Sequence, residues 1–318
     1  MKSKVMMMAV LTMCGSGEMS EDCSFQEHEM VELSFSVPRQ SMTRLSGAVS
    51  EDAVNDLQIF VFGLDGQLQA YGHSDTDELT LTCSTGDKRV AALVNSPLKE
   101  DVTDEASLKR LVSSFSDNSV TDFVMSGLVD AKVTRTESVV VPVNRLVSKI
   151  ILKSVRNEFE LPQHREIEFS VKSVFITNAP KDMGYFAHMA PSGWYNKDVS
   201  DMGQIIAQAG TMMYEDLGLK KLPYGEAYEP KTFFYCYPND LADNAAPTYL
   251  VVEAMFGNSL YYYPVDLPAM ESNKCYSVSL TVCRPGSDSP DTPVEKTDAR
   301  FEVSVQPWAD NVSVDEVI

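Results

Sequence analysis

The side chains that could do chemistry in this 318-residue chain are few and scattered. Four histidines, His28, His73, His164 and His188, lie far apart and reach no metal-ligand spacing. No Gly-x-Ser-x-Gly elbow occurs, so a serine nucleophile has no sharp turn to present it. Asp and Glu total 46, so many that no single pair stands out as the acid and base of a glycosidase. The six cysteines include no CxxC pair, which removes a zinc or dithiol redox site. Cys275 and Cys283 fall eight apart in one predicted strand, about 26 Å at the usual rise, too far for a disulfide. Cys83, Cys236, Cys275 and Cys283 are therefore expected as buried free thiols. The stiff acidic stretch from Asp288 to Pro293 is a poor calcium site. The expectation is a protein without catalysis, cofactor or metal.

Three positions remain where something could be attached, cut or bound. Lys2 and Lys4 precede a short apolar run, Val5 to Met13, that ends at Cys14 and Gly15. A basic start and a brief apolar stretch outline an export signal, and the cysteine after it resembles a lipobox, which marks Cys14 for lipidation. Residues 16–29 are polar and acidic, a solvated tether. Arg44 sits in Ser41-Met42-Thr43-Arg44-Leu45-Ser46-Gly47, a small-residue stretch where a trypsin-like protease would cut between Arg44 and Leu45. Trp194, in Pro191-Ser192-Gly193-Trp194-Tyr195, is the aromatic best placed to contact a ligand such as a glycan. The clusters Phe233 to Tyr237 and Tyr261 to Tyr263 could also line a sugar platform, but residues of this kind in adjacent strands more often form core and cross-strand pairs.

The elements that must position these residues are strands. From residue 31 the sequence alternates: Val31, Leu33, Phe35 and Val37 against Glu32, Ser34 and Ser36, a half-buried strand closed by Pro38. Leu57 to Phe62 is a second strand, and Asp65-Gly66 turns it into Gln67 to Tyr71. Leu79 to Cys83 and Arg89 to Val94 continue the series. One helix follows, with Thr103 available as its cap and Leu108, Leu111, Val112 and Phe115 on one face. Strands return at Phe123 to Met125, Lys132 to Thr136 and Ser138 to Val143. A second series opens near Val143 and runs through Lys149 to Val155, Glu166 to Thr177, Thr232 to Tyr237, Tyr249 to Phe256, Ser259 to Val265, Tyr276 to Cys283 and Phe301 to Val305. Met189 to Tyr228 reads as a long irregular segment with a possible helix over Met202 to Ala209, of a length that often marks a binding or assembly surface. The fold expected is all-β, two β-sandwich domains over residues 31–145 and 146–318, with one short helix in the first.

The end of the chain alternates again. Phe301, Val303 and Val305 are followed by Pro307-Trp308, and Val312 and Val314 resume the pattern, so this terminal segment is suited to joining a sheet, its own or a neighbour's. The charge balance, 26 Lys plus Arg against 46 Asp plus Glu for a net −20, excludes non-specific nucleic-acid binding. No apolar run is long enough for a transmembrane helix.

Taken in order, these pieces resemble the Bacteroidales fimbrillins, the type V pilins. The matching residues are Cys14, Val31 to Val37, Thr43-Arg44, Ile59-Phe60-Val61-Phe62 with Asp65-Gly66, and Phe123-Val124-Met125-Ser126-Gly127. Arg145-Leu146-Val147-Ser148-Lys149-Ile150, Val174 to Asn178, Tyr235 to Asn239, Thr248-Tyr249-Leu250, Tyr262 to Val265, Gly286-Ser287-Asp288 and Val303-x-Val305-x-x-Trp308 follow. The resemblance implies two transthyretin-like β-sandwich domains in a structural subunit of a cell-surface fimbrium. It implies export as a lipoprotein to the outer membrane, with lipid on Cys14. An arginine-specific protease would remove the segment ending at Arg44, carrying away the strand of Val31, Leu33, Phe35 and Val37. Other fimbrial subunits would then supply a donor strand, which here corresponds to Phe301, Val303, Val305, Trp308, Val312 and Val314. A tip or anchor subunit, a glycan-binding surface lipoprotein using Trp194, and a secreted hydrolase are the alternatives.

Overall fold

A computed structural model describes residues 29–38, 51–198, 212–242, 245–290, 292, 294 and 298–308. Cys14, Arg44, Leu45, Val312, Val314 and the possible helix over Met202 to Ala209 lie outside the described residues. The fold is all-β as expected. Among the described residues the α-helices number two, and both are short.

Two compact units divide the chain. The first comprises Met1–Ser113, Thr121–Asn144 and Gly184–His188; the second comprises Ser114–Val120, Arg145–Met183 and Met189–Ile318. Through residue 145 the strands are β1 (Met30–Ser36), β2 (Leu57–Phe62), β3 (Leu68–Ser74), β4 (Glu78–Ser84), β5 (Gly86–Val94), β6 (Val112–Ser114), β7 (Met125–Val133), β8 (Glu137–Val140) and β9 (Asn144–Arg145), with helix α1 (Glu105–Lys109) between β5 and β6. All but β6 form a five-stranded sheet, β3-β2-β5-β7-β9, and a three-stranded sheet, β4-β1-β8. The alternating residues of both sheets meet in one core: Leu57, Ile59, Val61, Val90, Ala92 and Val94 from the larger, Leu33, Phe35, Leu79 and Leu81 from the smaller. β2 and β3 are the hairpin that Asp65-Gly66 announces. Gly66 takes φ +77, where a residue without Cβ carries no steric cost, and its N–H bonds the Gly63 carbonyl at 2.9 Å.

The helix differs from its expectation at both ends. Asp104, not Thr103, is the cap: its carboxylate accepts from the Ser107 N–H at 2.7 Å, and the Ser107 hydroxyl accepts from the Asp104 N–H at 3.2 Å. This reciprocal pair satisfies two donors at the helix start, which Thr103 could not do from one position earlier. Beyond Lys109 the β-branched Val112 and the serines at 113 and 114 go extended as β6, so Leu108 is the buried residue of the helix and Phe115 opens a separate 3₁₀ turn.

From residue 148 come β10 (Ser148–Asn157), α2 (Pro162–Arg165), β11 (Phe169–Thr177), β12 (Ala179–Pro180), β13 (Asp182–Gly184), β14 (Trp194–Tyr195), β15 (Tyr214–Lys221), β16 (Ala227–Tyr228), β17 (Thr232–Cys236), β18 (Tyr249–Phe256), β19 (Ser259–Asp266), β20 (Lys274–Val282) and β21 (Ala299–Pro307). One sheet runs β16-β10-β20-β21, with β17 also on β10, and the other runs β15-β11-β18-β19. The segment read as irregular from Met189 to Tyr228 contains β15, an eight-residue edge strand on β11. Its exposed, charged side chains (Glu215, Asp216, Lys220, Lys221) hide the alternation that would have revealed it.

One glycine is set by sterics. A Cβ on Gly127, in β7, would stand 2.0 Å from the carbonyl oxygen of Pro142 and 3.0 Å from Val143 Cγ1. Backbone cannot yield as a side-chain tip can. Gly127→Ala is therefore expected to cost about 1–3 kcal/mol, as overpacked sites do. Gly66→Ala, which meets open space and only a strained φ, should cost about 1 kcal/mol. Urea unfolding of the two variants beside the parent would read this order, and equal midpoints would contradict it.

Candidate functional site: the first and last strands

β1 occupies the middle of its sheet. It pairs antiparallel with β4 from Met30↔Ser84 to Ser36↔Glu78, and parallel with β8 from Leu33↔Glu137 to Ser36↔Val140. Bonds from Thr85 N–H to the Glu29 carbonyl (2.8 Å), from Val37 N–H to Asp77 (3.1 Å) and from Val141 N–H to Ser36 (3.0 Å) extend both ladders. The four residues of the alternating face, Val31, Leu33, Phe35 and Val37, are all buried, with Leu33 and Phe35 at 0% exposure. Glu32 and Ser34 face outward. Leu33 stands opposite Leu81 and Phe35 opposite Leu79. The site this defines is a slot in which seven residues satisfy two strand edges and half of one side of a core.

Cys83 lies at one end of that slot, opposite Val31, at 1% exposure. Burial pushes its thiol above the ordinary range, which the nearby Lys88 ammonium only partly offsets. Burial also draws the Lys88 pKa down, and its Nζ donates to Ser84 Oγ at 3.0 Å and to the Thr85 carbonyl at 3.2 Å. Cys83, Cys236, Cys275 and Cys283 are buried and in no disulfide, and burial raises the Cys236 thiol to about 12.

β21 is the edge of its sheet, paired with β20 over nine residues from Lys274↔Pro307 to Val282↔Ala299. Phe301, Val303 and Val305 share the face of Leu280, Val278 and Tyr276, which are buried, yet Phe301 is 39% and Val305 51% exposed. Trp308 is different. Five residues from Val303 is an odd number, so it falls on the opposite face. It is 4% exposed, with the Arg145 guanidinium 4.5 Å above its ring, Lys149 Nζ at 5.5 Å and Tyr235 stacked at 5.7 Å. The four expected strand residues that are described are thus three apolar side chains on one face and a buried tryptophan on the other. The parity was readable from the sequence; the grip of Arg145 and Lys149 was not, because it joins residues more than 150 positions apart.

Trp194 forms the two-residue β14 with Tyr195, stands opposite Pro180 of β12, and is half-buried. The aromatic clusters are largely core: Phe234, Tyr237 and Tyr263 are at 0% exposure and Tyr235 at 4%. Burial pushes the Tyr263 phenol well above its usual value, and its hydroxyl donates to the Arg284 carbonyl at 3.0 Å. No group of three or more His, Cys, Asp or Glu poised for a metal occurs among the described residues.

Residues 31–150 match the family model of the major fimbrial subunit protein (FimA). The fimbrillin resemblance holds. The match begins at Val31 of β1 and ends at Ile150 of β10, so the slot strand lies inside it. The matched family is one of structural fimbrial subunits, not enzymes. No curated protein sequence matches. Among solved structures, a candidate cell adhesion protein of Parabacteroides distasonis is 14% identical, with a TM-score of 0.66 over 87% of this chain and 96% of that one. A fimbrilin (FimA) of Porphyromonas gingivalis W83 is 13% identical, with a TM-score of 0.63 over 87% and 97%. The tip fimbrial protein Mfa3 of P. gingivalis, with C-terminal truncation, is 13% identical, with a TM-score of 0.54 over 88% and 100%. At these identities the likeness is one of fold.

The slot makes the weight of each β1 residue measurable. Phe35→Ala should destabilise the protein by about 3–5 kcal/mol, the usual loss for a fully buried phenylalanine. Ser34→Ala, on the outward face one residue away, should change stability by less than about 0.5 kcal/mol. Denaturant midpoints test both, and a Phe35→Ala variant as stable as the parent would mean that β1 contributes little to the core.

Proposed function

We propose that this protein is a structural subunit of a cell-surface fimbrium that polymerises by protease-triggered donor-strand exchange. The observation that carries the reading is β1: a central, fully engaged strand at the start of the described chain, joined to the rest of its unit only through Pro38 and residues 39–50, which include Arg44. A cut between Arg44 and Leu45 leaves Val31, Leu33, Phe35 and Val37 held by no covalent bond. Once that strand departs, β4 and β8 present unpaired backbone edges and an apolar floor, which another subunit's strand fills by β-strand addition. The contact is head-to-tail and does not close on itself, so it propagates as a filament. The fimbrial family match over residues 31–150 supports this assembly with other fimbrial subunits at the cell surface. Lipid on Cys14 is the proposed means of holding the precursor at the outer membrane until an arginine-specific protease acts. The burial of Tyr235, Tyr237 and Tyr263 leaves the glycan-binding alternative resting on Trp194, Tyr261 and Tyr262, all half-buried.

Limited trypsin treatment of the purified precursor tests the reading directly. The expected result is cleavage after Arg44, loss of the 1–44 peptide and a ladder of SDS-resistant multimers, with the double variant Arg39→Ala/Arg44→Ala, which also removes the neighbouring trypsin site, resistant to both steps. A cut product that stays monomeric with residues 31–37 bound would refute strand exchange.

Cys83 gives an independent readout, because it stands opposite Val31 in the β1–β4 ladder and is buried. In the intact precursor it should resist iodoacetamide. After cleavage and release of β1 the thiol loses the burial that raises its pKa, and alkylation at Cys83 should appear in peptide mass spectra. It should disappear again in the polymer, where a donor strand covers the slot. Equal Cys83 labelling in all three states would show that the slot never opens.

A further inference from the structure

We infer that Lys88 is the residue by which the slot selects its occupant: its buried ammonium takes a strand with a carboxylate at the register position of Glu29 and rejects one with a cation there. This selection rests on the strand-exchange reading above and names the chemistry of the strand that such an exchange requires.

Lys88 stands where an apolar residue would be expected. The inward face of β5 is Lys88, Val90, Ala92 and Val94, and the last three lie in the core that β1 completes. Lys88 is 4% exposed, so its stem closes one end of that core and its ammonium is fixed there. Both acceptors that hold the ammonium come from β4 and the residue after it, Ser84 Oγ at 3.0 Å and the Thr85 carbonyl at 3.2 Å. Ser84 pairs with Met30, and the Thr85 N–H donates to the Glu29 carbonyl at 2.8 Å. Thr85 therefore touches the ammonium with its carbonyl and the occupant of the slot with its amide.

Neither acceptor carries a charge. Among the described residues no carboxylate forms an ion pair with Lys88, and Asp65 and Asp87 act on it only at longer range. A buried ammonium held by neutral groups keeps a positive field, which a neighbouring charge feels more strongly than it would in water. The inward parity of β1 runs through Val31, Leu33, Phe35 and Val37, and one step back it falls on Glu29, which is exposed. At the end of the slot that Lys88 closes, the next inward position of the occupant is thus an acid. The far end has the opposite sign: Glu78 stands opposite Ser36, and the carbonyl of Asp77 accepts from the Val37 N–H. Period two fixes which face of a strand turns inward, but not which of the registers two residues apart is taken. A charge at one end does, because a strand that slips by two residues or enters backwards keeps its alternation and loses the match.

Position 29 is read first in the intact precursor, where no exchange is needed. Glu29→Lys brings the net charge of −20 closer to zero than Glu29→Gln does, so relief of self-repulsion alone would give it the higher urea midpoint. Selection by Lys88 requires the reverse order at low salt, with the difference lost at high salt and in the Lys88→Met background, which keeps most of the stem. The salt comparison needs no Lys88 variant, so it holds even if Lys88→Met does not fold. Equal midpoints for Glu29→Lys and Glu29→Gln at low salt overturn the inference. The slot itself is tested with precursor cleaved by trypsin, the trypsin then inhibited, at protein concentrations too low for multimers. Acetylated peptides of residues 29–37, with Glu, Gln or Lys at the first position and a fluorophore at the carboxyl end, are titrated and read by anisotropy. Affinity should fall in the order Glu, Gln, Lys, with about tenfold between the extremes at low salt, and the three should converge on Lys88→Met protein. Equal affinities for the unaltered protein contradict selection. If no peptide binds although cleavage is complete, the strand-exchange reading fails and partner selection with it, while the precursor midpoints still decide whether Lys88 senses position 29.

Discussion

Every backbone N–H and C=O of a buried strand must find a partner, and in the first unit that requirement converges on β1. β1 lies between β4 and β8 in their sheet, antiparallel to one and parallel to the other. A parallel neighbour needs a long crossover, and here it spans everything from Pro38 to Thr136. The strand that completes the sheet is therefore the one least tied to it along the chain. Leu33 and Phe35 add the apolar side of the same constraint, because they are fully buried in the core they share with Ile59, Val61, Val90 and Ala92. Position in the sheet makes β1 indispensable, and position in the sequence makes it detachable.

How much of this was legible in the sequence follows from which interactions are local. Strict alternation from Val31 to Val37 announced β1 and its buried face, because period two is a property of a single strand. Asp65-Gly66 announced a hairpin, because the turn needs φ > 0 at one named position. The chain's own contest over residues 112–115 was misread as helix: Leu108, Leu111, Val112 and Phe115 do fall at helical spacing, but the Asp104–Ser107 box fixes only the start, and β-branched and serine residues end the helix early. β15 was invisible because a solvated edge strand with charges on both faces carries no periodic signal. The partnership of β1 with β8 was out of reach for a different reason. It joins residues about a hundred positions apart, and nothing in Glu137 to Val140 says which strand it lies beside.

The last strand shows how parity and burial divide labour. Phe301, Val303, Val305 and Trp308 look like one apolar strand when only composition is read. Counting residues separates them, since 301, 303 and 305 are odd and 308 is even. Burial then separates them again, the tryptophan enclosed and two of the three others exposed. Two pieces of sequence that carried the fimbrillin resemblance, Arg145 to Lys149 and Val303 to Trp308, prove to be the two halves of one cation–aromatic contact. A motif that spans opposite ends of a chain has a physical explanation when its members touch.

The exchange proposed for β1 has to be driven by something other than better packing. β1 offers the slot Val31, Leu33, Phe35 and Val37, whereas the segment after Trp308 offers valines, which fill less of a core already packed around a phenylalanine. What changes is connectivity. In the uncut chain β1 is tethered, and a tether of this length holds its effective concentration on the order of millimolar. Cleavage replaces that with the concentration of free peptide, which falls as the peptide diffuses away. An incoming strand that packs less well then occupies the slot because its competitor has been diluted, not because it binds more tightly. On the same proposal the net charge of −20 would oppose indiscriminate association, keeping opened subunits apart except where strand and slot meet in register.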